Sequence, residues 1–503
     1  MKQFVLPLAA VLLGSAAASA QNANVYASAL KCADGKIQFV LNTPADKVVL
    51  NLIKDNQIVE SIDLGAGVKG LNTVAIPATS AAPAGSYNWS LTASAPAVTK
   101  VTQLTDGTDL DLQVNRGKGI DVDVYPGSPN FGNVYVVSAG GDASRTGNRI
   151  GGGLYVFNSA LQALNADPYT GGFSWEVGSS NPYAVSVSEN GQVFIASWAD
   201  SDQSGVYYAE PNDLGGAWKD MFAPGQTDEN GLMTIDGTKI HGSIGEVLVV
   251  GSGADRKLYT SDEDYGEGTN RLEYAIGNLE SPWATGPTRN LGHPDGYING
   301  TQNWETDKRG GMWLSQYRWQ ESNANACIYH VNANNECDFH TGDKSIFVGS
   351  TSAAAMAVTL DGKRMAVLGG DSGSDMVIAD ITFGEDGVPT LAKAYGDKFG
   401  APYTNRAQDC AFDPADNLYI IFNQNGVAGG VALYALPKDK NEYTTPAFDQ
   451  ITVQAGVEDI SVSDNDEVQA VYNLNGVKVD ADNLGKGLYI VRTAKGAYKK
   501  VVK

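Results

Sequence analysis

Residues 407–436 read AQDCAFDPADNLYIIFNQNGVAGGVALYAL. An alternating stretch from Ala407 to Phe412 meets the turn residues Asp413-Pro414-Ala415-Asp416-Asn417. Leu418–Phe422, a polar loop, and Val431–Leu436 follow. Period-two alternation puts successive side chains on opposite faces of a strand, and the Asp, Asn and Gly clusters supply the turns. The same order returns upstream. Residues 119–158 hold GIDVDVY, NVYVVS and GLYVFN; residues 183–210 hold YAVSVSENGQVFIAS and GVYYAE. Residues 238–260 give a weaker copy, TKIHGSIGEVLVVGSG and KLYT. Residues 301–332 give TQNWETDKRGGMWLSQ and CIYHVN, and residues 354–381 give AAMAVTLDGKRMAVLGG and DMVIADI.

With first strands near Gly119, Tyr183, Lys239, Thr301, Ala354 and Ala407, the units repeat every 53–64 residues. Units of this length with three or four short strands predict an all-β fold over 115–450, a β-propeller of about six blades. One small twisted sheet cannot bury both its faces. Stacked radially between two neighbours it can, and the closed ring leaves only short edges. Glycine, 58 of 503 residues, exceeds the roughly 7% of average proteins, as many tight turns require.

Two smaller all-β modules flank the repeat. Over 21–98, short alternating segments such as Lys36–Leu41, Lys47–Ile53 and Ser86–Ala93 are divided by Asp-Asn, Pro-Ala and Ala-Gly turns, the layout of a small sandwich. Pro83-Ala84-Gly85-Ser86-Tyr87-Asn88-Trp89-Ser90-Leu91 resembles the closing strands of immunoglobulin-like modules of the flagellar-hook-capping type. Over 456–503, Val468–Leu474, the turn Asn475-Gly476 and Val477–Val479 read as a hairpin, followed by Gly487–Thr493 and a basic end, Lys499–Lys503. Tyr472-Asn473-Leu474-Asn475-Gly476, Gly487-Leu488-Tyr489-Ile490-Val491 and the terminal Lys-Val-Val-Lys resemble the C-terminal sorting domain of type IX secretion cargo in the Bacteroidetes. That resemblance implies an export machinery that reads 456–503 at the outer membrane, and delivery to the surface or medium.

The N-terminus agrees with such a route. Lys2 precedes an apolar run from Phe4 to Leu13 and the small residues Ala18-Ser19-Ala20, a secretory signal over 1–20 with cleavage before Gln21. The apolar run is too short to span a bilayer, so no transmembrane segment is expected in the mature chain. A net charge of −22 argues against nucleic acid, whose phosphates an acidic surface repels.

Chemistry-bearing motifs are sparse. No G-x-S-x-G, H-E-x-x-H, P-loop or dinucleotide fingerprint occurs, and His241, His293, His330 and His340 are scattered. The string Cys327-Ile328-Tyr329-His330 with Cys337-Asp338-Phe339-His340 has a zinc-like spacing. In a strand, however, residues three apart point to opposite faces, so Cys327 and His330 cannot share an ion. A Cys327–Cys337 disulfide across the loop is the expectation, with two free thiols as the alternative, and Cys410 reads as a buried thiol. Asp262-Glu263-Asp264 and Asp464–Glu467 read as solvated acidic loops.

In a propeller, the loops before each first strand and between the second and third strands gather on one face. Placed there by sequence are Tyr183, Trp198, Arg256, Trp304, Tyr317, Arg318, Trp319, Arg406 and Asn423, a set of flat aromatic and hydrogen-bonding side chains suited to a glycan or an extracellular protein. Non-catalytic binding is the reading this supports, with no cofactor. Six-bladed propellers also include calcium-dependent lactonases and lyases. By that likeness Asn181, Asn299, Asn405 and Asp409 are candidate calcium donors of a channel hydrolase or lyase. A structural envelope component is the third reading.

Overall fold

The computed structural model describes residues 22–502, apart from 80, 141–147, 176–179, 199–204, 224–225, 228–232, 236–237, 240–243, 263–269, 283–284, 296–302, 317–326, 342–352, 370–374, 425, 454–467, 474–476, 481–487 and 494–497. The architecture is all-β; among the described residues the only helical turns are short 3-10 segments such as Leu110–Leu112. Six antiparallel sheets follow one another in the centre of the chain. Blade 1 is Gly117–Val122, Val134–Ser138 and Gly153–Phe157, its fourth position reduced to a bridge between Leu154 and Tyr169. Blade 2 is Ser180–Val187, Val193–Trp198, Gly205–Ala209 and Lys219–Asp220. Blade 3 is Ile244–Val250, Lys257–Asp262, Asn270–Ala275 and Arg289–Asn290. Blade 4 is Trp304–Thr306, Met312–Ser315, Ile328–Val331 and Cys337–His340.

Blade 5 is Ala353–Val358, Arg364–Gly369, Asp375–Phe383 and Pro389–Lys398. Blade 6 takes Ala407–Phe412, Leu418–Phe422 and Gly430–Ala435 from its own unit, and its outer strand, Thr102–Gln103, from before blade 1. The first strand of each blade lies against those of its two neighbours, and blade 6 against blade 1, so the ring is a closed β-propeller. Strand Thr102–Gln103 fastens the closure, since the chain is paired to blade 6 just before it enters blade 1. Shared apolar layers fill the spaces between blades. Ile120, Val134 and Tyr155 of blade 1 pack with Ala411, Tyr419 and Val431 of blade 6, all buried.

In the third unit the first strand begins at Ile244, whereas Thr238–Lys239 belongs to a small separate sheet with Gln226–Thr227 and Met233–Ile235. The apolar run IGEVLVV, read from sequence as a second strand, is therefore the inner strand.

The leading module has two sheets over one core. One holds Ala27–Ala33, Lys36–Leu41 and Gly70–Ala75; the other holds Gln57–Gly67, Ala45–Lys54 and Gly85–Ser94. The chain returns after the propeller to finish it. Glu442–Pro446 and Ile451–Val453 both pair with Gly85–Ser94, so residues that the sequence reading ran on to the end of the propeller lie in this module. Asp449 joins the two sheets, accepting from the Trp89 indole N–H at 2.9 Å and from Cys32 N at 2.7 Å. Val468–Asn473, Lys478–Val479, Leu488–Thr493 and Tyr498–Val502 form a separate four-stranded antiparallel sheet at the C-terminal end.

The leading module docks on one face of the ring, the face of the first-to-second-strand turns. Asn417, in that turn of blade 6, accepts from Asn24 N at 2.7 Å and donates to Asn24 O at 2.8 Å. The buried Tyr26 ring meets Phe131 of the blade 1 turn edge-on, with centroids 6.0 Å apart. The other face carries the starts of the first and third strands and the ends of the second.

Replacing Asp449 by Ala strands two inward-facing donors. We expect a stability loss of about 2–4 kcal/mol by urea titration, shrinking in a Trp89→Phe background. A loss below about 0.5 kcal/mol would show that this aspartate does not clamp the sheets.

Candidate functional site

The inner strands of a propeller face the channel with one edge, and no partner strand takes the N–H groups there. Side chains take them here. Asp409 of blade 6 accepts from Ile120 N of blade 1 at 2.7 Å, and Asp121 of blade 1 accepts from Val187 N of blade 2 at 2.7 Å. Ser186 Oγ of blade 2 accepts from Val249 N of blade 3 at 3.2 Å, and Asn303, just before blade 4, accepts from Met356 N of blade 5 at 3.2 Å. Each stitch ties a blade to the next. Asn303 Nδ2 also donates to Asp409 Oδ1 at 2.6 Å, a bond that bypasses blade 5 and crosses the channel. Close approach between blades 1 and 2 requires Gly119, where a Cβ would stand 3.0 Å from both Ala184 Cα and the Tyr183 carbonyl oxygen.

Four acids meet in this channel, Asp121, Glu246, Glu305 and Asp409. Burial pushes the Asp121 and Asp409 carboxyls up to about 7 against the hydrogen bonds they accept, and pushes Glu305 up to about 8. Burial first, then the charges of Asp409, Glu305 and Asp121, hold Glu246 well above the usual carboxylate range. Below the Asn303–Asp409 bond the channel widens to about 90 Å³, lined by Asp121, Tyr125, Ser186, Glu246 and Glu305. Above it, toward the open face, about 10 Å³ remains. Ligand sites for drug-sized molecules occupy roughly 300–1,000 Å³, so the channel itself admits only water-sized guests.

The mouth above it is built by bulges. One residue opposite the second strand is extra in blades 1, 3, 5 and 6, at Lys118, Gly245, Ala354 and Gln408; blade 2 carries a wider irregularity between Ser180 and Ala184. A bulge releases a residue from the ladder and re-aims its side chain. Lys118, Tyr183, Gly245 and Gln408 accordingly line the mouth. The Tyr183 ring meets Trp198 edge-on at 4.7 Å, and the Lys118 ammonium lies 5.2 Å from its centroid. Gln408 Nε2 donates to Tyr183 Oη at 3.4 Å, Asn423 Nδ2 donates to Gln408 Oε1 at 3.3 Å, and Asn423 N donates to Arg406 O at 2.9 Å.

Four residues named from sequence, Tyr183, Trp198, Arg406 and Asn423, thus come together on the open face. Lys118 and Gln408 were not among them. Their signal was available as one residue too many in an alternating inner strand. Tyr317, Arg318 and Trp319 lie outside the described residues, as do Asn299, Glu263, Asp264 and 464–467.

Two assignments need correction. Arg256 sits in the first-to-second-strand turn of blade 3, on the opposite face, where its buried guanidinium donates to Gly277 O and Gln192 Oε1, both at 3.4 Å. The misreading of the third unit by one strand moved it to the wrong end. Trp304 is 2% exposed and packs with Met312, Leu314 and Tyr329 against Leu248 and Tyr259 of blade 3, so it fills the space between blades. The expected disulfide is also overturned, since neither Cys327 nor Cys337 is disulfide-bonded. Val331 pairs with Cys337 while Cys327 bonds Thr341 Oγ1 at the far end of the hairpin, a separation of about 13 Å at ~3.3 Å per residue.

His330, from the string with zinc-like spacing, is buried between two aspartates, Nε2 at 3.1 Å from Asp307 and Nδ1 at 2.6 Å from Asp338. Burial would raise the Asp307 carboxyl, but His330 and the N–H groups of Arg309 and Gly311 outweigh it and hold it below the usual range. This braces the first turn of blade 4, and the channel is not involved. Of the candidate calcium donors, Asp409 spends both oxygens on backbone N–H groups and Asn303, as Asp121 beside it does on backbone N–H groups, Asn405 accepts from Gln424 Nε2 at 2.5 Å, and Asn181 is buried in the first strand of blade 2. Among the described residues no three His, Cys, Asp or Glu side chains are grouped to hold a metal ion.

No family model matches the chain, and no curated protein matches it. Among solved structures, it is similar to a Bacteroides thetaiotaomicron protein of unknown function, with 13% identity over 82% of this chain and 98% of that one, and a TM-score of 0.37. It is similar to a Pseudomonas aeruginosa periplasmic gluconolactonase, with 13% identity over 82% and 100% and a TM-score of 0.36. A Xanthomonas campestris gluconolactonase gives 12% over 68% and 98%, with a TM-score of 0.38. Likenesses this distant carry no inference about activity.

The channel acids make stability pH-dependent in a definite sense. A carboxyl kept neutral in the folded protein and ionised in the unfolded chain loses stabilisation as pH rises from the unfolded range, ~4, to the folded value. We expect Glu246→Gln to melt several degrees above the parent protein at pH 8 and within a degree of it at pH 4. A melting difference that stays constant between these pH values would contradict the account.

Proposed function

We propose that this is an exported propeller protein whose open face binds a glycan or an extracellular protein without catalysis. The observation that carries the reading is the convergence at the channel mouth of Tyr183, Trp198, Gln408 and Asn423, joined by ring contact and hydrogen bonds. Aromatic faces supply apolar area at small entropic cost, and amides supply directional bonds, the combination that sugar and peptide recognition uses. Support also comes from position, because the leading module occupies the opposite face. The narrow channel supports surface binding over an enclosed reaction chamber.

Export is supported by the Phe4–Leu13 run with its Ala18-Ser19-Ala20 end, and by the resemblance of 456–503 to type IX sorting domains. Edman sequencing of protein recovered from the medium or cell surface should begin at Gln21; an intact Met1 on recovered protein would refute this step. The immunoglobulin-like resemblance of the leading module supports a spacer role for it.

One observation favours an enzyme, the cluster of carboxyls with raised proton affinity in the channel. Asp121 and Asp409 spend their oxygens on backbone N–H groups and on Asn303, which favours the binding reading. On a glycan array and in pull-downs from surface extract, Trp198→Ala should weaken ligand retention at least tenfold with its melting temperature preserved. Retention unchanged in this variant would refute the site.

A further inference from the structure

We propose a second binding site, for a neutral di- or trisaccharide held by its hydroxyl edges, in the cleft between blades 5 and 6 beside the leading module. This site goes beyond the open-face reading and does not rest on it. The cleft measures about 510 Å³, inside the roughly 300–1,000 Å³ that small-ligand sites occupy, and it lies where such sites concentrate, at a junction between modules. One wall is blade 5, through the turn 359–363, Arg364 and the end of the third strand, 380–382. The other is Pro437, Lys438 and Asp439, the segment by which the chain leaves blade 6 for the leading module, with Asp416 of the blade 6 turn. Lys438 also pairs with Val98, on the segment that enters the propeller from that module, its N–H donating to Val98 O at 2.9 Å.

The walls are set by their own hydrogen bonds. Arg364 lies directly opposite Asp380 in the ladder; its Nε donates to Asp380 Oδ1 at 3.2 Å and its Nη1 to Pro437 O at 3.1 Å, so one guanidinium ties blade 5 to the outgoing segment. Lys438 Nζ donates to Ala415 O at 3.3 Å and to Asp416 Oδ2 at 2.8 Å. Thr359 Oγ1 donates to Asp361 Oδ1 at 2.8 Å and accepts from Arg364 N at 3.1 Å. Donors and acceptors remain for a guest. Among the described residues, Arg364 Nη2, one proton of Lys438, Asp380 Oδ2, Asp416 Oδ1 and both oxygens of Asp439 have no hydrogen-bond partner. The lining is nearly balanced in charge, with Lys363, Arg364 and Lys438 against Asp361, Asp380, Asp416 and Asp439. An anion would meet the carboxylates, and a cation the ammonium and guanidinium groups. Vicinal sugar hydroxyls, each donor and acceptor at once, answer a carboxylate and a cation side by side and bring no net charge. A neutral peptide also carries donors and acceptors, but spaces them along one backbone. The lining holds no aromatic ring, so the sugar is gripped by its edges and not by a ring face.

Titration calorimetry on the full mature chain tests this, with maltose, cellobiose and lactose as probes and acetyl-triglycine amide as a neutral peptide. At least one disaccharide is expected to bind, with an affinity that changes less than about twofold between low and high salt, since a neutral ligand has no ionic attraction to screen. Asp439→Ala removes no hydrogen bond of the folded protein, and Arg364→Lys keeps the charge but loses the fork. Each should weaken the binding about tenfold or more with the melting temperature preserved; Asp439→Ala decides alone if Arg364→Lys melts early. Trp198→Ala, on the opposite face, should leave this binding unchanged. Failure of all three sugars to bind overturns the proposal, as does binding that the cleft variants leave intact. Loss of binding in Trp198→Ala moves the sugar to the open face, which overturns the cleft site and upholds the open-face reading. An affinity that falls tenfold with salt overturns the neutral class, and a peptide that binds as tightly as the best sugar overturns the saccharide assignment.

Discussion

Six inner strands stand with one edge toward a narrow channel, and that edge has no strand to pair with. A buried N–H without an acceptor costs about 1–3 kcal/mol, and the requirement recurs around the ring. The protein answers it with short polar side chains that reach from one blade to the backbone of the next: Asp409 to Ile120, Asp121 to Val187, Ser186 to Val249, Asn303 to Met356. Carboxylates are strong acceptors, and their use leaves several acids in one poorly solvated space. Raised proton affinities at Asp121, Glu305 and Asp409 follow from the same choice. A cluster of perturbed acids in a propeller channel therefore has a structural cause before any catalytic one is invoked.

The same edge explains the mouth. Where the inner strand first meets its partner it has not yet settled into register, and a bulge there costs only one ladder position. Lys118 and Gln408 are both released at this point, in adjacent blades, and both line the mouth. Just beyond the bulge, Gly119 lets the first strands of blades 1 and 2 approach closely. The stitching residues and the mouth are thus separated by a few residues along one strand, and the bond between Asn303 and Asp409 marks the boundary.

Legibility in the sequence followed the range of the interactions. The repeat could be read because each blade announces itself locally, with alternating strands around turns such as Asp413–Asn417, whose aspartate accepts from Ala415 N and Asn417 N, both at 2.9 Å. Ring closure was not legible. Thr102–Gln103 is two residues long, too short for any periodicity, and its partner lies more than 300 residues away. Glu442–Pro446 and Ile451–Val453 were hidden for the same reason, since what makes them strands is the waiting edge of Gly85–Ser94. Tyr183, Trp198, Arg406 and Asn423, grouped from sequence by their places in the repeat, do stand on one face. Trp304 failed because an aromatic residue at a strand start can face a loop or a neighbouring blade equally well in sequence. Arg256 failed with the misread third unit, and Lys118 and Gln408 were missed because a bulge is a departure from the pattern used to find strands.

Charge completes the physical picture. A chain of net charge −22 repels anions at long range, so an anionic partner must approach against the mean field. Screening limits that field to about 8–10 Å at physiological salt, and within that distance the local arrangement dominates. Within the channel, the buried Asp121 and Asp409 turn oxygens to backbone N–H groups of the next blade, so local hydrogen bonding and not the mean field sets their state. The acids of the channel are thus held by the stitching bonds between blades, whereas the excess acids elsewhere in the chain make it self-repelling.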